Sequence, residues 1–207
     1  MIKLVASDLD GTLLQNGAQE LTPRALDLVR RLTEKGIVFV ASSGRQYDNE
    51  VNLFKPVKDQ ISYIAENGSI CIHKGNVIFR TVIAPELIRR TIDEVKKDGP
   101  HIIDKYLHHL KAKFSSEIKV VTSGNIWIDF IAPGTNKGTA LLKLLDVLQI
   151  RPEECMAFGD QYNDVEMLQT VGTSYVMSNS APGISYYSTY VTDSVEDVLE
   201  DLLAAQE

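Results

Sequence analysis

The stretch Ile2-Lys3-Leu4-Val5-Ala6-Ser7-Asp8-Leu9-Asp10-Gly11-Thr12 decides how this chain is read. A mostly apolar run is followed at once by two carboxylates one residue apart and then by a glycine, the pattern of a buried strand ending in a turn. In open α/β sheets ligands bind at that carboxyl edge. One carboxylate there can attack an electrophile while its neighbour moves protons, and together they can hold a hard cation such as Mg²⁺. In an extended segment residues i and i+2 share a face, so Asp8 and Asp10 are expected to address one reacting centre. Acidic pairs in loops are also ordinary solvated turns or helix caps, so the rest of the chain has to decide.

Three later segments carry the same signature. Val38-Phe39-Val40-Ala41-Ser42-Ser43-Gly44-Arg45 is an apolar run ending in hydroxyls, a glycine and an arginine. Asn136-Lys137-Gly138 opens a strongly periodic helix. Cys155-Met156-Ala157-Phe158-Gly159-Asp160 is followed by Gln161-Tyr162-Asn163-Asp164. Each puts phosphate- or metal-competent groups at a strand end or a helix start. In this order the four segments resemble motifs I to IV of the haloacid dehalogenase superfamily of aspartate-dependent phosphotransferases, over nearly the whole chain. The best match is its Cof-like branch, with the type IIB cap placed between motifs II and III, and Glu66-Asn67-Gly68 before a hairpin resembles that branch too.

The resemblance implies roles. Asp8 would be the nucleophile that takes the phosphoryl group, and Asp10 the acid that protonates the leaving oxygen and then the base that activates water. Mg²⁺ would be held by Asp8, Asp160, the Asp10 backbone carbonyl and, directly or through water, Asp164. Ser43, the Gly44 amide and Lys137 would bind phosphate oxygens, with Asn163 and Arg45 touching phosphate or substrate. For Asn163 and Asp164, capping the following helix competes with a site role. Lys137 could be an exposed helix-start lysine, but a cation at a helix N-terminus is unfavourable unless an anion accompanies it. Ser43 stands where the branch commonly has threonine and keeps the hydroxyl.

Organisation follows from periodicity. Thr22 and Pro23 are an N-cap and first helical residue for a stripe of Ala25, Leu28, Val29 and Leu32, which Gly36 ends. Continuous apolar strands alternating with helices predict a Rossmann-like parallel sheet with helices on both faces. Residues 1–80 and 134–207 are expected to form this core, and 81–133 a small α+β cap. In the cap, a helix from Pro85 carries Leu87, Ile88, Ile92 and Val95 along one side, and a second one carries Ile102, Ile103, Tyr106, Leu107, Leu110 and Phe114. The strands Ile118–Thr122 and Ile126–Ile131 flank Ser123-Gly124-Asn125. This insert is about half the length the resemblance leads one to expect, so a more open and less selective site is anticipated.

Bulk properties narrow the function. The net charge of −7 argues against a nucleic-acid surface. It is uneven: residues 81–133 hold eight Lys/Arg and seven Asp/Glu, a balance of +1, while the remainder holds 13 and 21, a balance of −8. No apolar window is long enough for a membrane span. Cys71 and Cys155 lack metal-ligand spacing and read as reduced buried thiols, and a cytoplasmic setting is expected. Trp127, Tyr106 and the pair His108 and His109 could line a substrate pocket, although Tyr106 and Trp127 fit packing better and adjacent histidines diverge. The expectation is a Mg²⁺-dependent phosphomonoester hydrolase acting on small phosphorylated metabolites such as a sugar phosphate or phosphoglycolate, a monomer or homodimer. The alternatives are a phosphomutase, a receiver-like signalling module and a non-catalytic phosphate-binding relative.

Overall fold

In the computed structural model, which describes residues 1–98, 109–114, 117–123 and 127–205, the first strand is the centre of the fold. β1 (Leu4–Ser7) pairs in parallel with β2 (Val38–Ser42) on one side and β8 (Cys155–Gly159) on the other. Its side chains alternate between two cores. Val5 packs with one cluster, and Leu4 and Ala6 with another, all at 0% exposure. That is why the run shows no polar alternation: a leucine or valine side chain gains about 1.5–3 kcal/mol by leaving water, on either face.

The full sheet has eight strands in the order β10-β9-β8-β1-β2-β3-β4-β5. It is parallel from β10 (Tyr190–Thr192) through β9 (Thr173–Met177) to β3 (Ser62–Ala65), and β4 (Ile70–His73) joins antiparallel. The β4 connection to β5 (Asn76–Arg80) turns on Lys74 and Gly75, both with positive φ, as a two-residue hairpin requires.

Two helix layers cover the sheet. α1 (Pro23–Glu34) buries Ala25, Leu28, Val29 and Leu32 on the Val5 side. Thr22 caps it by accepting from the Ala25 N–H at 2.9 Å. The helix from Val195 to Ala204 buries Leu199 and Leu203 in the same cluster. α2 (Tyr47–Leu53) follows β2. On the opposite face lie the helices Lys137–Leu148 and Val165–Thr170, with Leu141, Leu144, Met167 and Leu168 buried against Leu4 and Ala6.

The chain divides into two compact units, Met1–Phe79 with Asn136–Glu207, and Arg80–Thr135. The second holds α3 (Pro85–Asp98), a helical stretch at 109–113 and a two-stranded antiparallel ribbon of β6 (Lys119–Ser123) and β7 (Trp127–Ile131). Its core is Leu110, Phe114, Ile118 and Val120, with Ile83, Leu87 and Phe130 against it. The four apolar residues of α3 do not act together. Leu87 packs inward, whereas Ile88, Ile92 and Val95 are 43%, 45% and 38% exposed. The inward face continues instead through Thr91, whose hydroxyl donates to the Leu87 carbonyl, and Glu94, which pairs with Lys113 at 2.5 Å. Ile102, Ile103, Tyr106 and Leu107 of the expected second helix, the Gly124-Asn125 turn, His101 and His108 lie outside the described residues.

With α3 placed, the helices Lys137–Leu148, Val165–Thr170 and Val195–Ala204 are α4, α5 and α6.

Candidate active site

The carboxyl ends of β1, β2 and β8 lie side by side, and the chain leaves β1 for β2 on one side and reaches β8 on the other. That reversal opens the sheet edge at β1. The strand itself ends at Ser7. Asp8 and Asp10 lie beyond it, and the two carboxylates have unlike surroundings. Asp8 is buried, its N–H donating to the Phe158 carbonyl at 3.0 Å. Asp10 is more than half exposed and accepts two hydrogen bonds from the Arg45 guanidinium, at 2.7 and 2.6 Å. Those bonds push the arginine further up from its already high range.

Gly11 is required by position. Its φ is +89°, and a Cβ there would lie 2.3 Å from the Asp160 Oδ2. The glycine lets the β1 loop approach Asp160, which also accepts from the Thr12 hydroxyl at 3.0 Å and from Gln161 Nε2 at 3.1 Å.

Lys137 is the first residue of α4, yet its side chain is wholly buried. Its ammonium donates to Asp8 Oδ1 and Asp164 Oδ1, each at 2.5 Å. These carboxylates are the anions a lysine at a helix N-terminus needs. Burial works to lower its pKa, but Asp164 and Asp8 outweigh it and the net shift is upward, so the charge is retained. Asp164 completes a capping box on the single turn Tyr162–Asp164 rather than capping α5. Its Oδ2 accepts from the backbone N–H groups of Asp160 and Gln161, both at 3.0 Å, bending the loop after β8 back on itself, and makes no side-chain cap to α5.

Asp8, Asp160 and Asp164 thus form a buried cluster whose ligand atoms lie within 4.8 Å of one another. Burial, then the charge of Asp164, pushes the carboxyls of Asp8 and Asp160 up, and Lys137 opposes both shifts. Three carboxylates and one ammonium leave two negative charges in excess. An all-oxygen donor set with that surplus suits a hard divalent cation such as Mg²⁺.

The phosphate-side groups form a second layer. Ser43 is buried at the end of β2. Its N–H donates to the Ile64 carbonyl and its hydroxyl oxygen accepts from the Arg45 N–H at 3.1 Å, leaving the hydroxyl proton to donate. Gly44 follows, partly exposed. Asn163 donates to the side-chain carbonyl of Asn67 at 3.0 Å, so it meets the turn after β3. That turn is a brace. The Asn67 N–H donates to the Ser43 carbonyl and the Glu66 N–H to the Arg45 carbonyl, while a Cβ at Gly68 would lie 2.3 Å from the Asn136 carbonyl oxygen. Glu66 and Asn67 both take positive φ to do this.

Sequence reasoning quoted Thr12, Gln161 and Glu66-Asn67-Gly68 without giving the first two a role or reading the third as a strut. It did not single out Glu50 of α2, which is 0% exposed with neither carboxylate oxygen hydrogen-bonded. Burial pushes Glu50 well above the usual carboxylate range, against the opposing charge of Lys137 and with a smaller upward push from Asp8.

Fold and site define an α/β enzyme scaffold with a lysine-bridged acidic centre at the carboxyl edge of its sheet. The chain belongs to the haloacid dehalogenase-like hydrolase family, whose model matches residues 5–104 and 97–200. Among curated relatives it is 26% identical, over 98% of this chain and 96% of theirs, to the Escherichia coli 5-amino-6-(5-phospho-D-ribitylamino)uracil phosphatase YbjI. It is 26% identical to an HMP-PP phosphatase of Yersinia pseudotuberculosis, over 88% of this chain and 86% of that one. Among solved structures, SMU.1108c of Streptococcus mutans superposes with a TM-score of 0.89 at 22% identity, covering 99% and 100% of the two chains. The HAD subclass IIB sugar phosphatase BT4131 gives 0.84 at 18%, covering 97% and 98%. These likenesses agree with the Cof-like resemblance of the motifs.

Proposed function

We propose that this chain is a Mg²⁺-dependent phosphomonoester hydrolase that works through an aspartyl-phosphate on Asp8, with small phosphorylated metabolites as substrates. The observation that carries the reading is the buried Asp8 carboxylate, bridged by Lys137 and grouped with Asp160 and Asp164. A bare carboxylate facing a phosphate dianion is repelled by several kcal/mol at intermediate dielectric, and Lys137 together with a cation held by the cluster would offset that. Asp8, Asp160 and Asp164 would hold the cation, which supplies charge neutralisation of the phosphoryl oxygens.

An Asp8 oxygen attacks phosphorus, the ester P–O bond breaks, and Asp10 delivers a proton to the departing oxygen. Water then attacks the same phosphorus and gives its proton to Asp10. The bond to Asp8 breaks and phosphate leaves. Asp10 suits this exchange because it is more than half exposed and held by the Arg45 guanidinium. Ser43, Gly44 and Lys137 donate to the phosphoryl oxygens, whose charge is greatest in the transition state. Asn163 and Asn67 keep the loops after β8 and β3 in register. The named activities of the relatives, on phosphorylated pathway intermediates, support the substrate class. Two unpaired thiols, Cys71 and Cys155, each pushed up to about 12 by burial, fit a reducing, cytoplasmic setting.

The test is phosphate release from a panel of sugar and small-acid phosphates, with Mg²⁺ and with EDTA, for the native chain and Asp8→Asn. Turnover needing Mg²⁺ and lost in Asp8→Asn is expected, with several substrates within about two orders of magnitude in kcat/KM. Asp8→Asn retaining more than a few per cent of activity would remove Asp8 from the nucleophile's role. Full activity in chelator would remove the cation.

A further inference from the structure

Glu66, Asn67 and Gly68 follow one another at φ of +54°, +53° and +94°. Residues with side chains seldom enter that left-handed region, and then singly rather than in runs. Backbone held there persists only where its surroundings over-determine it, and such outliers gather at functional sites. Here the site itself does the holding, from three sides. Toward β2, the Asn67 N–H donates to the Ser43 carbonyl at 3.0 Å and the Glu66 N–H to the Arg45 carbonyl at 2.9 Å. Toward α4, Gly68 comes so near the Asn136 carbonyl that no Cβ fits between them, and Asn136 is the N-cap that precedes Lys137. Toward β8, the side-chain carbonyl of Asn67 accepts from Asn163 at 3.0 Å, with Asn67 3% exposed.

The last contact leads into the acidic centre. Asn163 is the middle residue of the turn Tyr162–Asp164, which Asp164 closes by accepting from the N–H groups of Asp160 and Gln161. The other Asp164 oxygen holds the Lys137 ammonium. One residue thus joins two halves of the site: its backbone is bonded to Ser43, and its side chain to the turn that seats Lys137. Ser43 and Lys137 ride on separate elements, the end of β2 and the start of α4. A transferring phosphoryl group has to meet both at once, so the gap between them must be set before it arrives.

We propose that Asn67 is a positioning residue, which holds Asn163 and, through it, the Asp164–Lys137 pair at the distance from Ser43 that a phosphoryl group spans. This rests on the reading of Ser43 and Lys137 as phosphate donors; Asn67 itself touches no reacting atom. The left-handed run lets one residue aim its N–H at Ser43 and its side chain at Asn163.

Steady-state phosphate release with Mg²⁺ tests this in the native chain, Asn67→Gly, Asn163→Ala and the double variant. Glycine keeps the left-handed backbone accessible while removing the side chain. Each single change should lower kcat about ten- to a hundredfold with KM within about threefold, the pattern of an interaction completed in the transition state. The double variant should be no worse than the poorer single one, because both break the same link, whereas independent residues multiply their losses. A kcat for Asn67→Gly within about twofold of native, a loss carried by KM, or multiplied losses in the double variant would each overturn the proposal. If Asn67→Gly does not fold, Asn163→Ala decides: a tenfold or greater fall in kcat supports the proposal, and a smaller fall or a loss carried by KM overturns it. Native turnover that depends on Asp8 keeps the hydrolase reading whatever Asn67 does, and a native chain that releases no phosphate overturns both.

Discussion

Replacing Lys137 by methionine keeps the aliphatic stem and removes only the charge, so it isolates what the ammonium contributes. In the native chain that group sits 2.5 Å from Asp8 Oδ1 and 2.5 Å from Asp164 Oδ1, with no solvent exposure. At an effective dielectric near 20, each contact is worth about 6–7 kcal/mol of gross attraction. The net loss is smaller, because carboxyls left without the cation respond by taking up protons. Breaking a buried pair from one side typically costs about 3–5 kcal/mol, a large part of a domain's usual 5–15 kcal/mol. The sign with pH follows from linkage. Burial and mutual repulsion already raise Asp8 and Asp160, and losing Lys137 raises them further. The folded variant then binds more protons than the unfolded chain, and its stability falls as pH climbs above the ordinary carboxylate range. Urea unfolding in EDTA should show a deficit of about 3–5 kcal/mol at pH 7 and a smaller one at pH 5. Saturating Mg²⁺ should stabilise the variant and the native protein alike, by about 2.7 kcal/mol at a hundred times the dissociation constant. A pH 7 deficit below about 1 kcal/mol, or one that does not change with pH, would refute the reasoning, since three buried carboxylates would then be managing without their counter-charge.

Glu50→Gln should stabilise the protein at neutral pH, because burial disfavours the charged form of the native carboxyl and it has no hydrogen-bond partner. The folded pKa is raised, so the advantage is absent below the unfolded value near 4.5 and grows by up to about 1.4 kcal/mol per pH unit above it; thermal unfolding at pH 4.5 and 7.5 checks this. Gly11→Ala should displace Asp160 and raise the Mg²⁺ concentration for half-maximal turnover at least tenfold, a loss of about 1.4 kcal/mol, measured by Mg²⁺ titration of phosphate release. Gly68→Ala should push on the Asn136 carbonyl at the start of α4 and lower both turnover and melting temperature, whereas Gly17→Ala, with open space around its Cβ, should at most cost stability through its positive φ.

The strands were legible because burial on both faces writes an uninterrupted apolar run, and Leu4, Val5 and Ala6 split between two cores without any polar alternation to confuse them. α1 was legible end to end, since Thr22, Pro23 and Gly36 act through local backbone chemistry alone. α3 shows the limit. Its period predicts an apolar side, and four residues supply one, but periodicity cannot say which arc of a helix its neighbours cover. Here Thr91 and Glu94 are buried because one can bond its own backbone and the other has Lys113 within reach.

The site divides along the same line. The resemblance carried by residue types and their order named Asp8, Asp160 and Lys137 as candidates, each at a strand end or helix start. What the sequence could not carry is pairing across large separations. Lys137 and Asp8 lie 129 positions apart and Arg45 and Asp10 lie 35 apart. No local rule says that Lys137 must neutralise Asp8 and Asp164 while Arg45 takes Asp10. That division has a chemical consequence. The carboxylate proposed to bond phosphorus is buried beside a wholly buried lysine, and the one proposed to move protons is more than half exposed under the Arg45 guanidinium. Two aspartates one residue apart are thereby given different tasks by partners that only the fold brings to them.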